Sequence, residues 1–432
     1  MTFPDQFYTK LLKEYDHDSL SYDGINGKRL ANRLATLSAI GLTEDHGSRR
    51  MGYSKEERNA KECVKIWMKE AGLTVFEDGA GNVFGRVAGK SEKKGTILVG
   101  SHVDSVPNGG HFDGPLGVLT ALEVVEAWNE VGYNPEKSYE VVIFSDEEGS
   151  RFKSGLTGST AMVGDAERDK LVNLHDVFDD PFSSVIENDG LSVEGYFSSK
   201  RDLRHVEAFL EVHIEQGKRL EKENRPVGVV TGIAGPCWQQ VTFTGKAGHA
   251  GNTPMNDRQD ALVAASDFVR QIYPLPATVN ETSVATVGQL HVKPNGINVI
   301  PGSVTLTVDI RDIYKETRDE LVEKIHRLAE EVALFYDVQA EIDEKTRIPP
   351  VPIQDEMKKR IEEAILTCQI QPSFLPSGAG HDAMNLGRHI PVGMIFVRSL
   401  DGVSHHPTEW SSLNDCVYAA HVLRKTVESL MK

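Results

Sequence analysis

The sequence predicts an α/β fold in which a twisted mixed sheet flanked by helices is interrupted by an inserted α+β domain. Short apolar runs alternate with amphipathic segments in the first half of the chain, as in a helix-flanked sheet. Near residue 231 the pattern changes to alternating strands followed by helices, and the first pattern returns after residue 346. We therefore predict one domain from residues 1–230 and 347–432, and a two-layer insert at 231–346.

Composition narrows the class of protein. Of the 432 residues, 39% are hydrophobic and 26% are charged, as in globular proteins and unlike disordered chains. A net charge of −17 argues against a protein that binds nucleic acid through a basic surface. Four widely spaced cysteines without a CxxC pair favour a reducing, cytoplasmic location. No apolar run approaches the roughly 18 residues that cross a bilayer, so we expect no membrane span.

The first half contains one clear surface helix and several buried strands. Ser54 and Glu57 form a capping-box pattern, and Gly72 can end the helix predicted over 54–71. Pro115 suits the first turn of a second helix, over 116–128. Short apolar runs predict strands at 96–100, 140–145, 208–212 and 392–397, and the chain closes with a helix over 414–430.

The inserted block has its own element order. Apolar alternation and helical periodicity predict a βαββα arrangement, which would form one antiparallel sheet with two helices. The predicted strands are 238–244, 284–290 and 304–310, and the predicted helices are 257–272 and 316–335.

Polar residues follow the first of the buried strands. His102 offers an imidazole and Asp113 a carboxylate, while Asp104 can orient the imidazole through its second nitrogen. Ligand sites in α/β proteins lie at the carboxyl ends of sheet strands. Taken alone, the segment is also compatible with a glycine-rich turn that a histidine and two aspartates order.

Three further strand ends carry the same residue types: Glu147 and Glu148, His213, and His405. Each segment alone could be a solvated polar loop. Together they supply the nitrogen and carboxylate ligands of a zinc-like divalent site, and two ions would need a bridging carboxylate. A GxSxG elbow, an HExxH helix and a Walker A loop are all absent from the sequence, which argues against the corresponding hydrolases.

At this point the chain resembles the metal-dependent amidases of the hydantoinase/carbamoylase family, relatives of the di-zinc aminoacylases and carboxypeptidases. The resemblance covers nearly the whole chain and implies a catalytic domain of the di-zinc exopeptidase type, with the insert as a lid or dimerisation domain. The motifs that carry it are GSHVDSVPNGGHFDGPLGV (100–118), DEEGSRF (146–152), HIEQG (213–217), GHAGNTPM (248–255), GINVIPG (296–302), DIRD (309–312), SGAGHDAM (377–384) and SHHPTEW (404–410).

The resemblance implies two divalent ions per chain, of zinc, manganese, cobalt or nickel. Glu147 matches the general base of the family. His405 is preferred to His406 because the family pattern is His-x-x-x-Glu, and Glu409 fits that spacing only from 405. By position, His102 and His213 would hold one ion, Glu148 and His405 the other, and Asp113 would bridge them.

The resemblance also implies the residues that contact the substrate. His249 matches a histidine that stabilises the developing oxyanion, and Asn298 and Arg311 match residues that hold a carboxylate. In a homodimer these three side chains would reach the partner's site. Gln216 matches a contact to the amide end, and Gly378 and Gly380 would let substrate approach the backbone. His381 and Asp382 are left without a role.

The activity implied is hydrolysis of the carbamoyl C–N bond of N-carbamoyl-L-amino acids, giving the amino acid, ammonia and carbon dioxide. Residues 233–238 favour an L-carbamoylase, whereas residues 377–383 look closer to allantoate amidohydrolases. Allantoate amidohydrolase and β-ureidopropionase are therefore the alternatives. Further alternatives are an N-acyl amino acid deacylase or dipeptidase, and a non-catalytic protein that binds a small molecule through metal ions.

Overall fold

Two compact units make up the protein in its computed structural model, which describes residues 1–91 and 94–432. The first unit comprises Met1–Val230, Ile353–Leu375 and His381–Lys432, and the second comprises Thr231–Pro352 and Pro376–Gly380. The predicted fold class is confirmed, because a helix-flanked mixed sheet and a separate antiparallel sheet are both present. The predicted limits of the insert, 231 and 346, stay a prediction.

Helices occur in both units. In chain order they are α1 (Phe3–Leu12), α2 (His17–Leu20), α3 (Gly27–Ser38), α4 (Lys55–Glu70), α5 (Pro115–Val131), α6 (Thr157–Val163), α7 (Arg168–Val172), α8 (Phe182–Asn188), α9 (Val193–Phe197), α10 (Arg219–Glu223), α11 (Ala261–Ile272), α12 (Lys315–Phe335), α13 (Asp355–Thr367), α14 (Asp382–Leu386) and α15 (Leu413–Met431).

Strands likewise occur in both units. In chain order they are β1 (Thr74–Glu77), β2 (Val83–Val87), β3 (Thr96–His102), β4 (Ser138–Phe144), β5 (Val206–Ile214), β6 (Val227–Ile233), β7 (Gly235–Thr244), β8 (Gly248–His249), β9 (Val284–Lys293), β10 (Val299–Ile300), β11 (Ser303–Asp312), β12 (Gln339–Arg347), β13 (Val351–Pro352), β14 (Phe374–Ser377) and β15 (Val392–Val397).

The sheet of the first unit has the order β1-β2-β4-β3-β5-β15-β6. Its four central strands, β4, β3, β5 and β15, pair in parallel, whereas the β1–β2, β2–β4 and β15–β6 pairs are antiparallel. All four strands predicted from apolar runs are these central strands, which are buried almost throughout. Because they are parallel, their carboxyl ends lie at one edge of the sheet.

The predicted helices of the first unit are confirmed, with small changes at their ends. The Ser54 side chain accepts the N–H of Glu57 at the start of α4. Pro115 begins α5, which is buried along most of its length and packs on the sheet. The closing helix predicted over 414–430 is α15, with Ser412 as its N-cap.

The second unit contains an antiparallel sheet of order β12-β7-β11-β9 and the helices α11 and α12. Inward side chains of the sheet and helices form one apolar core, which includes Phe243, Phe268, Leu306 and Ile325. Every element predicted for the insert is present and occurs in the predicted βαββα order.

Two expectations for this unit were wrong. The predicted order omits β12, an edge strand of the sheet whose residues 343–347 are all polar or charged and therefore lack the alternation that predicts a strand. The helix predicted from residue 257 begins at Ala261 instead. Asp260 caps it by accepting the N–H groups of Leu262 and Val263, and residues 255–257 form a separate 3-10 turn.

Within residues 1–91 and 94–432, no helix combines the length and the apolar character that a membrane crossing requires.

Candidate metal centre

The polar strand ends of the first unit converge at the carboxyl edge of its sheet. His102 is the last residue of β3, and His213 is the next-to-last residue of β5. Glu147 and Glu148 follow β4, and His405 follows β15. Parallel pairing places these four strand ends beside one another, which brings residues from 102 to 405 into one cluster.

One side of the cluster combines two imidazoles with a carboxylate. His213 Nε2 lies 3.1 Å from Asp113 Oδ1, and His102 Nε2 lies 3.6 Å from the same oxygen. All three side chains are buried. Their ligand atoms lie within 4.8 Å of one another, so this group could hold a divalent ion.

The other side of the cluster uses the second oxygen of the same carboxylate. His405 Nε2 lies 3.5 Å from Asp113 Oδ2 and 3.3 Å from Glu148 Oε2. These three residues also have ligand atoms within 4.8 Å of one another. Asp113 thus turns one oxygen toward each group, which is the arrangement that a carboxylate bridging two ions adopts.

The neighbouring histidine, His406, takes no part in either group. Its Nδ1 contacts Thr408 Oγ1 at 2.8 Å, and its side chain is exposed. His405 has a positive φ of 54°, and its Nε2 lies 3.3 Å from Glu148 Oε2. His405, rather than His406, therefore belongs to the group that could hold an ion.

Hydrogen bonds on the far side of each buried ring orient its Nε2 toward the cluster. His102 Nδ1 lies 3.2 Å from Asp104 Oδ1 and 3.2 Å from the Asp104 carbonyl oxygen. His213 Nδ1 donates to the carbonyl oxygen of Ile214 at 3.0 Å. Histidines that ligate metals commonly have such a partner on the second ring nitrogen.

Asp104 also holds the loop after β4. Its two carboxylate oxygens accept the N–H groups of Glu147 at 3.2 Å and Glu148 at 3.0 Å. The sequence predicts its contact with His102, whereas these two backbone bonds depend on the tertiary fold. One carboxylate thereby positions three candidate site residues.

Two atoms test whether these residues fit a metal ion. His102 Nε2 and Glu148 Oε1 are buried and have no hydrogen-bond partner among the described residues. Burial raises the pKa of the Glu148 carboxyl well above its usual range, and the negative charge of Asp113 raises it further. Divalent ions would satisfy both atoms and neutralise the carboxylates, so the donor set fits a metal pair.

Glu147 lies beside this cluster without belonging to either ligand group. Its Oε2 lies 3.7 Å from His102 Nε2, and its side chain is 9% exposed. Burial raises the pKa of Glu147 well above its usual range; His102 opposes this, while the charges of Asp382 and Glu148 add to it. A buried carboxyl with a raised pKa can both accept and return a proton near neutral pH.

A buried ion pair on α4 holds the start of the loop that carries Glu147. Lys61 Nζ lies 2.6 Å from Glu57 Oε1, and both side chains are fully buried on α4. Lys61 also donates to Ser145 Oγ at 2.8 Å, and the Asp146 N–H donates to Glu57 Oε1 at 3.4 Å. The α4 helix thus anchors the residues that precede Glu147.

Gln216 contacts the cluster itself. Its Nε2 donates to Asp113 Oδ2 at 2.8 Å and lies 3.4 Å from His405 Nε2. Ser404 Oγ also donates to Asp113 Oδ2, at 2.7 Å. The Asp113 oxygen shared by these donors is the one that faces the second ligand group.

Glu409 and Ser404 are site residues that the sequence prediction missed. Glu409 is buried, and its Oε1 accepts the N–H groups of Phe112 at 2.9 Å and Asp113 at 3.1 Å. Its Oε2 lies 3.0 Å from Ser404 Oγ, the hydroxyl that donates to Asp113. Glu409 therefore joins the loop of His405 to the backbone of Asp113. Its spacing from His405 was the available signal.

Close packing also explains two glycines of this region. A Cβ at Gly110 would lie 2.1 Å from the Glu409 side chain, and one at Gly114 would lie 2.5 Å from the His102 ring. Gly114 has a φ of 80° at the start of α5. The turn that presents Asp113 therefore needs glycine on both sides of it.

His381 and Asp382, which have no role in the sequence prediction, lie under the same cluster. The ring of His381 packs edge-on against that of His213 with 4.5 Å between centroids, and both His381 and Asp382 are buried. His381 thereby supports the position of His213.

The remaining predicted site residues belong to the second unit. His249 lies on β8, opposite Val299 of β10, and the Ala250 N–H donates to the carbonyl oxygen of Asn298 at 3.0 Å. This pairing makes His249 and Asn298 neighbours.

Arg311 lies on β11 and is held within the same unit. It donates Nε and Nη2 to the Asp309 carboxylate, at 3.0 and 2.8 Å, and Nη1 to the Gly378 carbonyl oxygen at 2.6 Å. A Cβ at Gly378 or at Gly380 would meet nothing within 4 Å, so open space surrounds both.

Replacing Glu409 with alanine is expected to weaken metal binding by about 10- to 100-fold, the usual loss when a residue that supports a ligand is removed. The two amides that hold Asp113 would lose their acceptor. Zinc affinity can be measured by competition with a chromophoric chelator.

Asp176→Ala is the matched control, because Asp176 is also buried and accepts two backbone N–H groups, from Phe178 and Asp180. It should keep the wild-type affinity. Equal affinity in Glu409→Ala and the wild type would contradict the role given to Glu409.

Comparison with known proteins identifies the family. Residues 98–429 match Peptidase family M20/M25/M40. An N-carbamoyl-L-amino acid amidohydrolase of Geobacillus stearothermophilus is 44% identical over 94% of this chain and 99% of its own length. An allantoate amidohydrolase of Bacillus subtilis is 36% identical over 89% and 92%. The structure of a hydantoinase/carbamoylase family amidase from Burkholderia multivorans superposes with a TM-score of 0.88, at 34% identity, over 94% and 98%. The chain belongs to Peptidase family M20/M25/M40.

Proposed function

We propose that this protein hydrolyses the carbamoyl C–N bond of N-carbamoyl-L-amino acids, giving the amino acid, ammonia and carbon dioxide. The observation that carries the proposal is Asp113, whose two oxygens face two separate ligand groups with Glu147 beside them. Relatives that are 37% to 44% identical over at least 93% of this chain are N-carbamoyl-L-amino acid amidohydrolases, which supports the substrate class.

Two divalent ions per chain complete the proposed site. His102 and His213 would hold one, Glu148 and His405 the other, and Asp113 both. Imidazole and carboxylate donors accept zinc, manganese, cobalt and nickel, so availability in the cell would select among these metals. When bound, such ions polarise a carbonyl group and lower the pKa of the attacking water.

Glu147 would act as the proton carrier of the reaction. It takes a proton from the attacking water and later passes it to the leaving nitrogen, because its raised pKa suits both transfers. His249 would donate a hydrogen bond to the oxyanion that develops on the ureido carbonyl. Gln216 would contact the amide end of the substrate.

Arg311 and Asn298 would hold the substrate carboxylate and so align the scissile bond. A guanidinium has five N–H groups, and the contacts to Asp309 and Gly378 use three of them. One N–H on Nη1 and one on Nη2 therefore remain for a substrate carboxylate. The open space at Gly378 and Gly380 supports a close approach of substrate to that backbone.

Allantoate amidohydrolase is the second candidate function. Allantoate carries a ureido group next to a carboxylate, so the same residues could bind it. Two relatives support this candidate. They are allantoate amidohydrolases of Bacillus subtilis and Escherichia coli, which are 36% and 32% identical over 92% of their own length.

Ammonia release from a panel of substrates tests the proposed function. Chelator-stripped protein is assayed with and without added manganese, cobalt or zinc on N-carbamoyl-L-amino acids, their D-isomers, N-carbamoyl-β-alanine and allantoate. We expect metal-dependent release from the L-isomers. Release from allantoate alone would transfer the assignment to the second candidate, and silence on every substrate, with metal bound, would contradict both.

Glu147→Gln is expected to keep its metal ions and lose about 10²- to 10⁴-fold in kcat, the usual contribution of a general base. The amide has nearly the same shape but cannot take a proton. Metal content by mass spectrometry is the control, and turnover near that of the wild type would rule out Glu147 as the base.

We further propose that the protein is a homodimer in which His249, Asn298 and Arg311 enter the partner's site. A chain with His249→Ala and a chain with Glu147→Gln are each expected to be inactive. Mixed in equal amounts, they should recover about a quarter of wild-type turnover, because half of the dimers would then hold one complete site. No recovery despite proven subunit exchange would contradict donation across the dimer.

A further inference from the structure

The turn that follows β8 folds back onto the ring of His249. His249 Nδ1 accepts the backbone N–H of Gly251 at 3.1 Å and that of Asn252 at 3.2 Å. Among the described residues, none hydrogen-bonds to its Nε2, and the residue is exposed. The Nδ1 edge of the imidazole is therefore bound to its own turn, and the Nε2 edge is open.

Two donors on one ring nitrogen determine where the proton of the neutral ring resides. A nitrogen that accepts N–H groups must present its lone pair, and in neutral imidazole the other nitrogen then carries the hydrogen. The turn therefore keeps His249 as the Nε2–H tautomer. That tautomer points a hydrogen-bond donor away from the turn, as a group that stabilises an oxyanion requires.

Arg258 holds the turn in this conformation. Its Nη2 donates to the carbonyl oxygens of Ala250 at 2.7 Å and Thr253 at 2.9 Å, and its Nε donates to Thr253 O at 3.1 Å. Ala250 and Thr253 lie on either side of the two amides that reach His249. A planar guanidinium spans two acceptors at fixed spacing, which a lysine ammonium does not reproduce.

The start of the turn is fixed independently. His249 pairs with Val299 in the β8–β10 ladder, and the carbonyl oxygen of His249 accepts the N–H of Thr253 at 3.1 Å. The Asn252 N–H also reaches the carbonyl oxygen of His249, at 3.3 Å. The ladder and these turn bonds hold the backbone of His249, while Arg258 binds the carbonyl oxygens on either side of the Gly251 and Asn252 amides.

We propose that Arg258 is a positioning residue, which keeps the Gly251 and Asn252 amides on His249 Nδ1 and so maintains an Nε2–H donor for the reaction. The catalytic use of that donor rests on the proposed function of His249. The state of the ring does not, so it can be measured separately.

The first test observes the ring directly in the full-length protein. Protein labelled with 15N-histidine is studied by NMR above neutral pH, where an ordinary imidazole is uncharged, and the His249 signals are assigned by their loss in His249→Gln. We expect the Nε2–H tautomer alone. A free imidazole populates both tautomers, so a mixture, or the Nδ1–H form, in the wild type would overturn the proposal without any Arg258 variant.

The second test removes the guanidinium of Arg258. In Arg258→Met we expect a measurable Nδ1–H population and faster hydrogen exchange at the Gly251 and Asn252 amides. Arg258→Lys should give a smaller change in both. Arg270→Met is the matched control, because Arg270 is an exposed arginine of the same unit that pairs with Asp267, and its His249 signals should match the wild type. An unchanged tautomer and unchanged exchange in a folded Arg258→Met protein would overturn the role of Arg258.

Kinetics then separate this inference from the proposed function. With substrate, Arg258→Met should lower kcat about tenfold and leave KM near the wild-type value, because an oxyanion donor acts mainly in the transition state. A rise in KM with kcat unchanged would contradict positioning of such a donor. If no ureido substrate is hydrolysed, the proposed function fails, whereas the tautomer and exchange results still decide the role of Arg258.

Discussion

The buried carboxylate of Asp104 connects two neighbouring strand ends, and the geometry of the whole candidate site depends on that connection. Its oxygens accept the N–H groups of Glu147 and Glu148, and it also contacts Nδ1 of His102. This is possible because β3 and β4 are parallel and in register, with His102 paired to Phe144 at their ends. The two loops therefore begin side by side, and one carboxylate contacts His102 and holds the backbone of Glu147 and Glu148.

Charge balance explains why this arrangement implies cations. Asp113, Glu147 and Glu148 have few routes to water, and burial disfavours the charged form of such groups. Histidine contacts offset this at Asp113, whose pKa lies below its usual range although burial raises it, because His213 first and then His102 and His405 favour the carboxylate. At Glu148 the effect of burial is larger than that of the histidine contact, so the pKa of its carboxyl lies above the usual range. A pair of divalent ions would resolve this difference by stabilising both carboxylates in their charged form.

Much of the architecture could be predicted because its signal is local. The four central strands are continuous apolar runs, and polar ligands follow them directly, so both the sheet and the residues at its edge are readable from sequence. Strand β12 could not be predicted, since an exposed edge strand made mostly of polar and charged residues resembles a polar loop. The start of α11 was placed four residues early because Asp257 and Asp260 are both of a residue type that caps helices, and the structure uses Asp260. Glu409 was visible only as a spacing, because its two backbone acceptor bonds to residues 112 and 113 require tertiary contact across almost 300 positions.

We propose that Asp113 would bridge two metal ions, with one of its oxygens toward each. Anomalous diffraction from crystals grown with manganese measures this most directly. We expect two peaks about 3.5 to 4 Å apart, one beside His102 and His213 and the other beside Glu148 and His405. A single peak, or peaks that leave one Asp113 oxygen without a metal neighbour, would contradict it.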